Sequence, residues 1–131
     1  MTMKVNFEKA LKDLERQLAG NITRAEAAVH TALRAMENGD VNLARTVVQG
    51  DSAIDAAENE IELSCLDILA LYQPVATDLR RVITILRANG EIERLGDIAT
   101  NIAEDVIYLE TAEIVRHEPR EQIVGQALRR P

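Results

Sequence analysis

The chain has 131 residues and a formal net charge of −7 at pH 7, and only 2% of its residues are aromatic. That length suits one domain with a substantial core, and the apolar residues are mainly Ala, Leu, Ile and Val, as in closely packed helices. The acidic balance argues against nucleic acid and anionic membranes as partners, because both require clustered Lys and Arg. Divalent cations and basic protein surfaces are the partners that such a domain favours.

The single cysteine, Cys65, excludes an internal disulfide. It lies among apolar neighbours, so we expect it to pack as a small hydrophobic residue in a reducing compartment. No segment approaches the ~20 apolar residues of a membrane span, and the N-terminal residues turn acidic before an apolar run develops. The sequence therefore predicts a cytoplasmic protein with no signal peptide and no membrane insertion.

A stripe of apolar residues at steps of three and four predicts a first helix from about residue 6 to residue 37. Its members are Phe7, Leu11, Leu14, Leu18, Ile22, Ala25, Val29, Ala32 and Met36. Gly20 interrupts the stripe, and we expect a continuous or slightly kinked helix there, with a break as the alternative. Asn38, Gly39 and Asp40 then supply a helix end, a left-handed glycine and a new N-cap.

A second helix is predicted from about Val41 to Leu71. Its apolar positions include Val47, Ile54, Ile61, Cys65, Ile68 and Tyr72. Gln73 and Pro74 end this helix, because the residue before a proline is pushed out of the helical region. Pro74 is then expected to be the first residue of a third helix that runs to about Thr111.

The third helix is apolar along one face. The residues of that face are Leu79, Val82, Ile83, Leu86, Ile92, Leu95, Ile98, Ala99, Ile102 and Val106. Pro119 is placed to begin a short fourth helix, and no β alternation occurs in the sequence. Long helices on short connections must lie antiparallel, so the predicted fold is all-α, with an elongated antiparallel three-helix bundle over residues 1–118. Residues 119–131 are expected to form a short helical or flexible tail.

Two lines of oxygen-bearing side chains are the main chemical signal. They are Asp51, Asp55, Glu58 and Glu62 on the second helix and Glu93, Asp97, Asn101 and Glu104 on the third. At about 100° per residue, each set falls along one narrow line of its helix. Acidic pairs at this spacing occur about as often as chance predicts, so only the two-line arrangement carries weight. Two such lines on neighbouring helices would suit hard or borderline divalent cations, and a solvated acidic face is the alternative.

Other chemistries are less well supported by the sequence. The Glu-x-x-His motif of di-iron bundles is absent, because Ala27 precedes His30 and Ile114 precedes His117 at that offset. A phosphorylated His30 is a further alternative, although it directly follows Val29 of the core stripe and a structural role is favoured. Every glycine is isolated, so no phosphate-binding loop is expected. The sequence favours an interaction protein over an enzyme.

Four segments of the chain resemble the PhoU family of phosphate-signalling regulators. They are Glu93-Arg-Leu-Gly-Asp97 with Asn101-Ile-Ala-Glu104; Leu69-Ala-Leu-Tyr-Gln-Pro-Val-Ala-Thr-Asp-Leu-Arg80; Asp51-Ser-Ala-Ile-Asp55 with Glu58 and Glu62; and Gly39-Asp40 with Ala44. The resemblance covers about residues 7 to 118, and its motifs occur in the family's order and spacing. It implies a three-helix unit and a non-enzymatic regulator that restrains a phosphate ABC transporter, through its ATPase subunit, and a phosphate-sensing histidine kinase.

The resemblance also implies a metal centre. Members of the family bind metal clusters through Glu/Asp-x-x-x-Asp motifs, which correspond here to Glu93 with Asp97 and to Asp51 with Asp55. Asn101 lies on the same line, and so does Glu104. The expected cofactor is therefore Fe, Zn or a similar metal ion on the surface of the bundle.

The chain differs from the family in length. PhoU proteins usually hold two tandem copies of this unit and the chain has one, so it is either a single-repeat member or a fragment. One repeat leaves the inter-repeat surface uncovered, which predicts a homodimer that rebuilds the two-repeat arrangement around a two-fold axis. The alternatives for function are an accessory subunit of another phosphate transporter and a metal-binding bundle with no phosphate role.

Overall fold

A computed structural model describes residues 3–115 as three long helices. Helix α1 spans Met3–Asn38, α2 spans Val41–Tyr72 and α3 spans Ala76–Thr111. Each helix packs against both others, and that part of the chain contains no strand. The predicted all-α three-helix bundle is confirmed. The tail and fourth helix predicted for residues 119–131 lie outside the described residues.

The connection between α1 and α2 follows local chemistry. Gly39 has φ of +60°, a left-handed conformation that favours glycine. Asp40 caps α2, because its carboxylate accepts a hydrogen bond from the Leu43 N–H at 3.0 Å. Helix α1 runs without a break through Gly20, as the first of the two alternatives predicted.

The connection between α2 and α3 was predicted only in part. Gln73 ends α2 in a left-handed conformation, and its N–H donates to the Leu69 carbonyl oxygen at 3.1 Å. The prediction that Pro74 is the first residue of α3 is wrong, since α3 begins at Ala76. Val75 is the N-cap with an extended backbone, φ −128° and ψ 164°, so the helix cannot extend back through it to Pro74.

The core consists of two apolar clusters and a smaller one between them. The cluster nearest the α2–α3 connection contains Phe7, Leu11, Leu14, Ile61, Cys65, Ile68, Val82 and Ile85. The cluster at the other end contains Ala32, Ala35, Ala44, Val47, Ala99, Ala103, Val106 and Ile107. The smaller cluster between them contains the buried residues Ala25, Ile54 and Ile92. None of the described helices is long and apolar enough to cross a membrane.

Three residues that were predicted on the apolar faces are exposed instead. Met36 is 53% exposed, Ile98 is 50% exposed and Leu79 is 38% exposed. On α1, Ala35 is buried where the predicted stripe had placed Met36. Long packed helices bury positions that repeat every seven residues, and we call this row of buried positions the seven-residue seam. A stripe drawn with the 3.6-residue period drifts away from it.

Candidate functional site in the α2–α3 groove

Two contacts fix the antiparallel register of α2 and α3. Asn89 Nδ2 donates to the Glu58 carbonyl oxygen at 2.9 Å. Seven residues further along α3, a Cβ added to Gly96 would lie 3.5 Å from Cγ2 of Ile54 and 3.6 Å from Oδ1 of Asp51, which precedes Glu58 by seven residues. The register is therefore constant over this stretch. By that register, Glu93 is level with residues 54–55 of α2, and Asp97 is level with residues 50–51.

The acidic line of α2 faces α3. The opposite flank of α2, which includes Thr46 and Gly50, lines a cavity of about 290 Å³ together with Arg24 and Ala27 of α1. Side chains on the other flank of α2 must face its second neighbour, α3. That flank carries the four predicted acidic residues of α2, which are Asp51, Asp55, Glu58 and Glu62.

The acidic line of α3 faces α2 by the same reasoning. Arg81 pairs with Glu8 of α1, and Leu95 packs in the same cluster as Leu18 and Ile22 of α1, so these residues mark the α1 side of α3. The other flank carries the predicted acidic residues of α3, which are Glu93, Asp97 and Glu104. The two lines therefore meet across one groove, which we call the α2–α3 groove.

The eight predicted site residues differ in depth and in position. Asp51 is 5% exposed and Glu58 is 2% exposed, so these two carboxylates lie in the core and not on the surface of the bundle. Asp55, Glu62, Glu93, Asp97 and Glu104 are half-buried, and Asn101 is exposed. By the register, Glu62 and Glu104 lie about 28 Å apart along the helix axis, so the eight residues cannot share a single site. Asp51, Asp55, Glu58, Glu93 and Asp97 form the compact middle of the groove.

Buried polar residues occupy the middle of the bundle beside these carboxylates. They are Asn21, Asp51, Glu58, Asn89 and Thr100, and we call them the polar layer. Asn21 Nδ2 donates to the Ile54 carbonyl oxygen at 3.2 Å, one helical turn from the carbonyl that accepts from Asn89. The Oδ1 atoms of both asparagines are buried and accept no hydrogen bond. The polar layer therefore ties α1 and α3 to the backbone of α2 at the level of the groove.

Sequence reasoning missed Asn21 and Asn89 as members of this site. The buried positions of α2 alternate strictly at steps of three and four from Ala44 to Ile68, and both Asp51 and Glu58 belong to that series. Asn89 belongs to the matching series on α3. A seven-residue repeat counted through polar positions would have found them.

Charge is divided unequally among the helices. Helix α1 has five acidic and six basic residues, whereas α2 has six acidic residues and one arginine, and α3 has seven acidic residues and four arginines. In the described chain, none of the positions that flank the α2–α3 groove is Lys or Arg. Arg94, at its edge, is 72% exposed and lies 3.7 Å from Glu91. The groove is therefore a concentrated negative surface.

The donor chemistry of the groove suits a hard cation, because carboxylate oxygens are the ligands that such ions prefer. Within residues 3–115, however, no three His, Cys, Asp or Glu side chains are grouped closely enough to hold a metal ion. Metal binding by these residues therefore stays a prediction.

The two residues considered for other chemistry lie outside the groove or beneath it. His30 is exposed on α1, and its phosphorylation stays a prediction. Cys65 is fully buried in the apolar cluster near the α2–α3 connection, as expected of a small hydrophobic residue. Burial, assisted by the charge of Glu62, raises the pKa of the Cys65 thiol to about 11, so it is a poor nucleophile at neutral pH.

Comparison with known proteins places these residues in a family. The model of the PhoU domain matches residues 21–106, a range that includes both acidic lines. A phosphate-specific transport system accessory protein PhoU homolog from Aquifex aeolicus is 39% identical over 101 residues, which cover 77% of this chain and 46% of that protein. The PhoU homolog 1 of the same description from Thermotoga maritima is 34% identical over 110 residues, and the PhoU homolog from Streptococcus pneumoniae is 32% identical over 124 residues. Those matches cover 84% and 95% of this chain, and 47% and 57% of the two relatives.

The chain thus spans about half the length of the curated relatives it matches. The match to the domain model extends over most of the chain and includes the middle of all three helices. This protein belongs to the PhoU family.

Proposed function

We propose that this protein regulates phosphate uptake and phosphate-starvation signalling by contact with other proteins. The proposal is carried by the match of residues 21–106 to the PhoU domain and by relatives described as accessory proteins of the phosphate-specific transport system. Its partners would be the ATPase subunit of a phosphate ABC transporter, a sensor histidine kinase, or both. These contacts would occur in the cytoplasm and would need no catalysis by this chain.

The test is alkaline phosphatase activity in a deletion strain grown in ample phosphate. We expect high activity in the deletion strain and low activity once the intact gene is restored. An Asp55→Asn/Asp97→Asn variant should restore repression poorly, whereas Glu60→Gln/Glu91→Gln, which neutralises two exposed carboxylates outside the groove, should restore it fully. Unchanged activity on deletion would refute the signalling role and favour an accessory of another phosphate transporter.

We also propose that the α2–α3 groove binds Fe, Zn or a similar metal ion. Support comes from the carboxylates of Asp51, Asp55, Glu93 and Asp97, which the register places within two helical turns, and from the absence of Lys and Arg at the described flanking positions. Because no three of these side chains, which all belong to residues 3–115, are grouped closely enough to hold an ion as they stand, binding would require them to rotate toward it. Elemental analysis of protein purified without chelators should show metal that is lost in Asp55→Asn/Asp97→Asn and kept in the exposed-carboxylate control. Equal metal in both variants would remove these residues from the site.

We propose further that the chain forms a homodimer. The matched segment makes up 46% and 47% of the relatives from Aquifex aeolicus and Thermotoga maritima, so two such segments together would supply about as much sequence as one relative. Light scattering at micromolar concentration should give the mass of two chains. A mass equal to one chain would refute the dimer and leave the transport role untouched.

A further inference from the structure

The α2–α3 groove has two chemically different halves. Near the α2–α3 connection, its flanking positions are apolar and comprise Leu66, Leu69, Leu79, Ile83 and Leu86, which we call the apolar half. Further along, the flanking positions include Asp55, Glu62, Glu93, Asp97 and Glu104, which we call the acidic half, together with Val48 and Gly90. By the register, Leu66 is level with residue 81 and lies between Leu79 and Ile83. The apolar half is therefore continuous across both helices.

The apolar half is accessible. Leu66 is 50% exposed and Leu79 is 38% exposed. Leu69 and Leu86 lie behind them, partly buried against the core. A contiguous exposed apolar patch is a mark of an interaction surface, whereas single exposed leucines are not. The patch opens onto the outer side of the groove, opposite α1.

The dimensions of the groove fit a helix. From Leu79 to Glu104 it extends about 38 Å along α3, which is the length of a helix of about 25 residues. The furrow between two antiparallel helices accepts a third helix by ridge-into-groove packing. Helix-in-groove recognition uses apolar anchors spaced by three and four residues, and the apolar half supplies a surface for such anchors.

The negative charge of the acidic half determines which kind of helix the groove can bind. A second copy of this chain packed groove to groove in parallel would bring two acidic halves together, which costs binding energy through like-charge repulsion. Packed antiparallel, it would set each acidic half against an apolar half, which costs free energy because carboxylates are desolvated without a partner charge. A helix with Lys or Arg at the end that meets the acidic half would gain complementary charge, in competition with a metal ion bound by the same carboxylates. It would also gain a faster association rate that depends on salt.

We propose that the α2–α3 groove binds an amphipathic helix of a partner protein, with apolar residues against the apolar half and Lys or Arg against the acidic half. The inference rests on the proposed regulatory function and deepens it, because it names the surface of contact and the chemistry of the partner. It also determines the placement of the partner helix. Its apolar end lies near the α2–α3 connection, and its basic end lies near Asp97.

The first test uses a labelled helical peptide of 22 residues with leucines at i, i+3, i+4 and i+7 in one half and lysines in the other. Fluorescence anisotropy should show binding that weakens at least about tenfold when the lysines are replaced by glutamates. Leu66→Ser/Leu79→Ser should weaken binding of the lysine peptide by a similar factor and keep its salt dependence. Asp55→Asn/Asp97→Asn should weaken binding and flatten the salt dependence.

The matched control is Ile98→Ser. Ile98 is as exposed as Leu66, at 50%, but it lies two residues from Gly96 and so points away from the groove. Circular dichroism would confirm that each variant keeps its helices. Equal binding of the peptide to Ile98→Ser and to the two groove variants would overturn the inference, and so would equal binding of the lysine and glutamate peptides.

Complementation of the deletion strain separates the two proposals. If the intact gene restores repression, the Ile98→Ser gene should also restore it and the Leu66→Ser/Leu79→Ser gene should not. Repression by all three genes would refute the groove inference while the regulatory function stands. Failure of the intact gene would refute the regulatory function, and the peptide experiment would then decide the groove alone.

Discussion

Replacing Asn89 with leucine should leave the protein at least as stable as the wild type, even though it removes a buried hydrogen bond. Asn89 is 3% exposed, and its Nδ2 donates to the Glu58 carbonyl oxygen at 2.9 Å. Its Oδ1 is buried and accepts no hydrogen bond. The amide N–H of this side chain therefore stabilises the fold, and its carbonyl oxygen destabilises it.

The sizes of these two effects decide whether the substitution raises or lowers the free energy of unfolding. Loss of the hydrogen bond lowers the free energy of unfolding by about 0.5–1.5 kcal/mol, and removal of a buried unpaired acceptor raises it by about 1–3 kcal/mol. The Glu58 carbonyl lies inside α2, where helical hydrogen bonding still satisfies it. Leucine also buries more apolar surface, although its larger volume requires repacking that can use up part of the gain. We expect the free energy of unfolding to change by about 0 to +2 kcal/mol.

The assay is urea unfolding followed by circular dichroism at 222 nm, with the slope of the transition compared between variants. Ile92→Ala, one turn along α3, serves as the control, since truncation of a packed core residue should cost about 2–5 kcal/mol. A loss of more than about 1 kcal/mol in Asn89→Leu, at unchanged slope, would refute the reasoning, because Asn89 would then stabilise the fold.

Three further outcomes are expected. Gly90→Ala should raise the free energy of unfolding by about 0.5–1 kcal/mol in thermal melts, because an added Cβ meets nothing within 4 Å and alanine favours a helix; a lower melting temperature would contradict this. The Arg81 guanidinium donates to Glu8 at 2.8 and 3.1 Å, which lowers the pKa of that carboxyl, so the pair stabilises the fold above the unfolded-state pKa. The stability difference between wild type and Glu8→Gln should therefore shrink as the pH falls below about 4.5, and a constant difference down to pH 2 would contradict it. Cys65 should react with a thiol reagent at pH 8 only when the protein unfolds, and rapid stoichiometric labelling of the native protein would contradict its burial.

The parts of the fold that depend on local chemistry were predictable from the sequence. Gly39 and Asp40 determine a connection by themselves, since one adopts a left-handed conformation and the other caps the next helix. The start of α3 was not predictable in this way. Proline suits a first helical position in general, but here the extended Val75 separates Pro74 from the helix.

The candidate site was predictable in its composition but not in its depth. Helical spacing alone placed the carboxylates in two lines, and it treated all of them as surface groups. Burial depends on how far each helix is rotated toward its neighbours, which the seven-residue seam decides. That seam includes Asp51 and Glu58 and leaves Asp55 at its edge. A seven-residue count could have found Asn21 and Asn89 as buried positions, but not their partners, because each hydrogen bond joins residues more than 30 positions apart.

The polar layer and the acidic half of the groove lie at the same level of the bundle, and this coincidence has a consequence for function. Buried amides and carboxylates weaken a core that Leu, Ile and Ala fill elsewhere, so stability alone does not explain them. Hydrogen bonds from Asn21 and Asn89 to consecutive turns of α2 fix the rotation of the helix that carries two of the five carboxylates of the acidic half. An Asn21→Leu/Asn89→Leu variant should therefore fold stably yet restore repression poorly in the deletion strain. Full repression by this variant would show that the asparagines act only on the packing of the bundle, and that the groove tolerates a change in the rotation of α2.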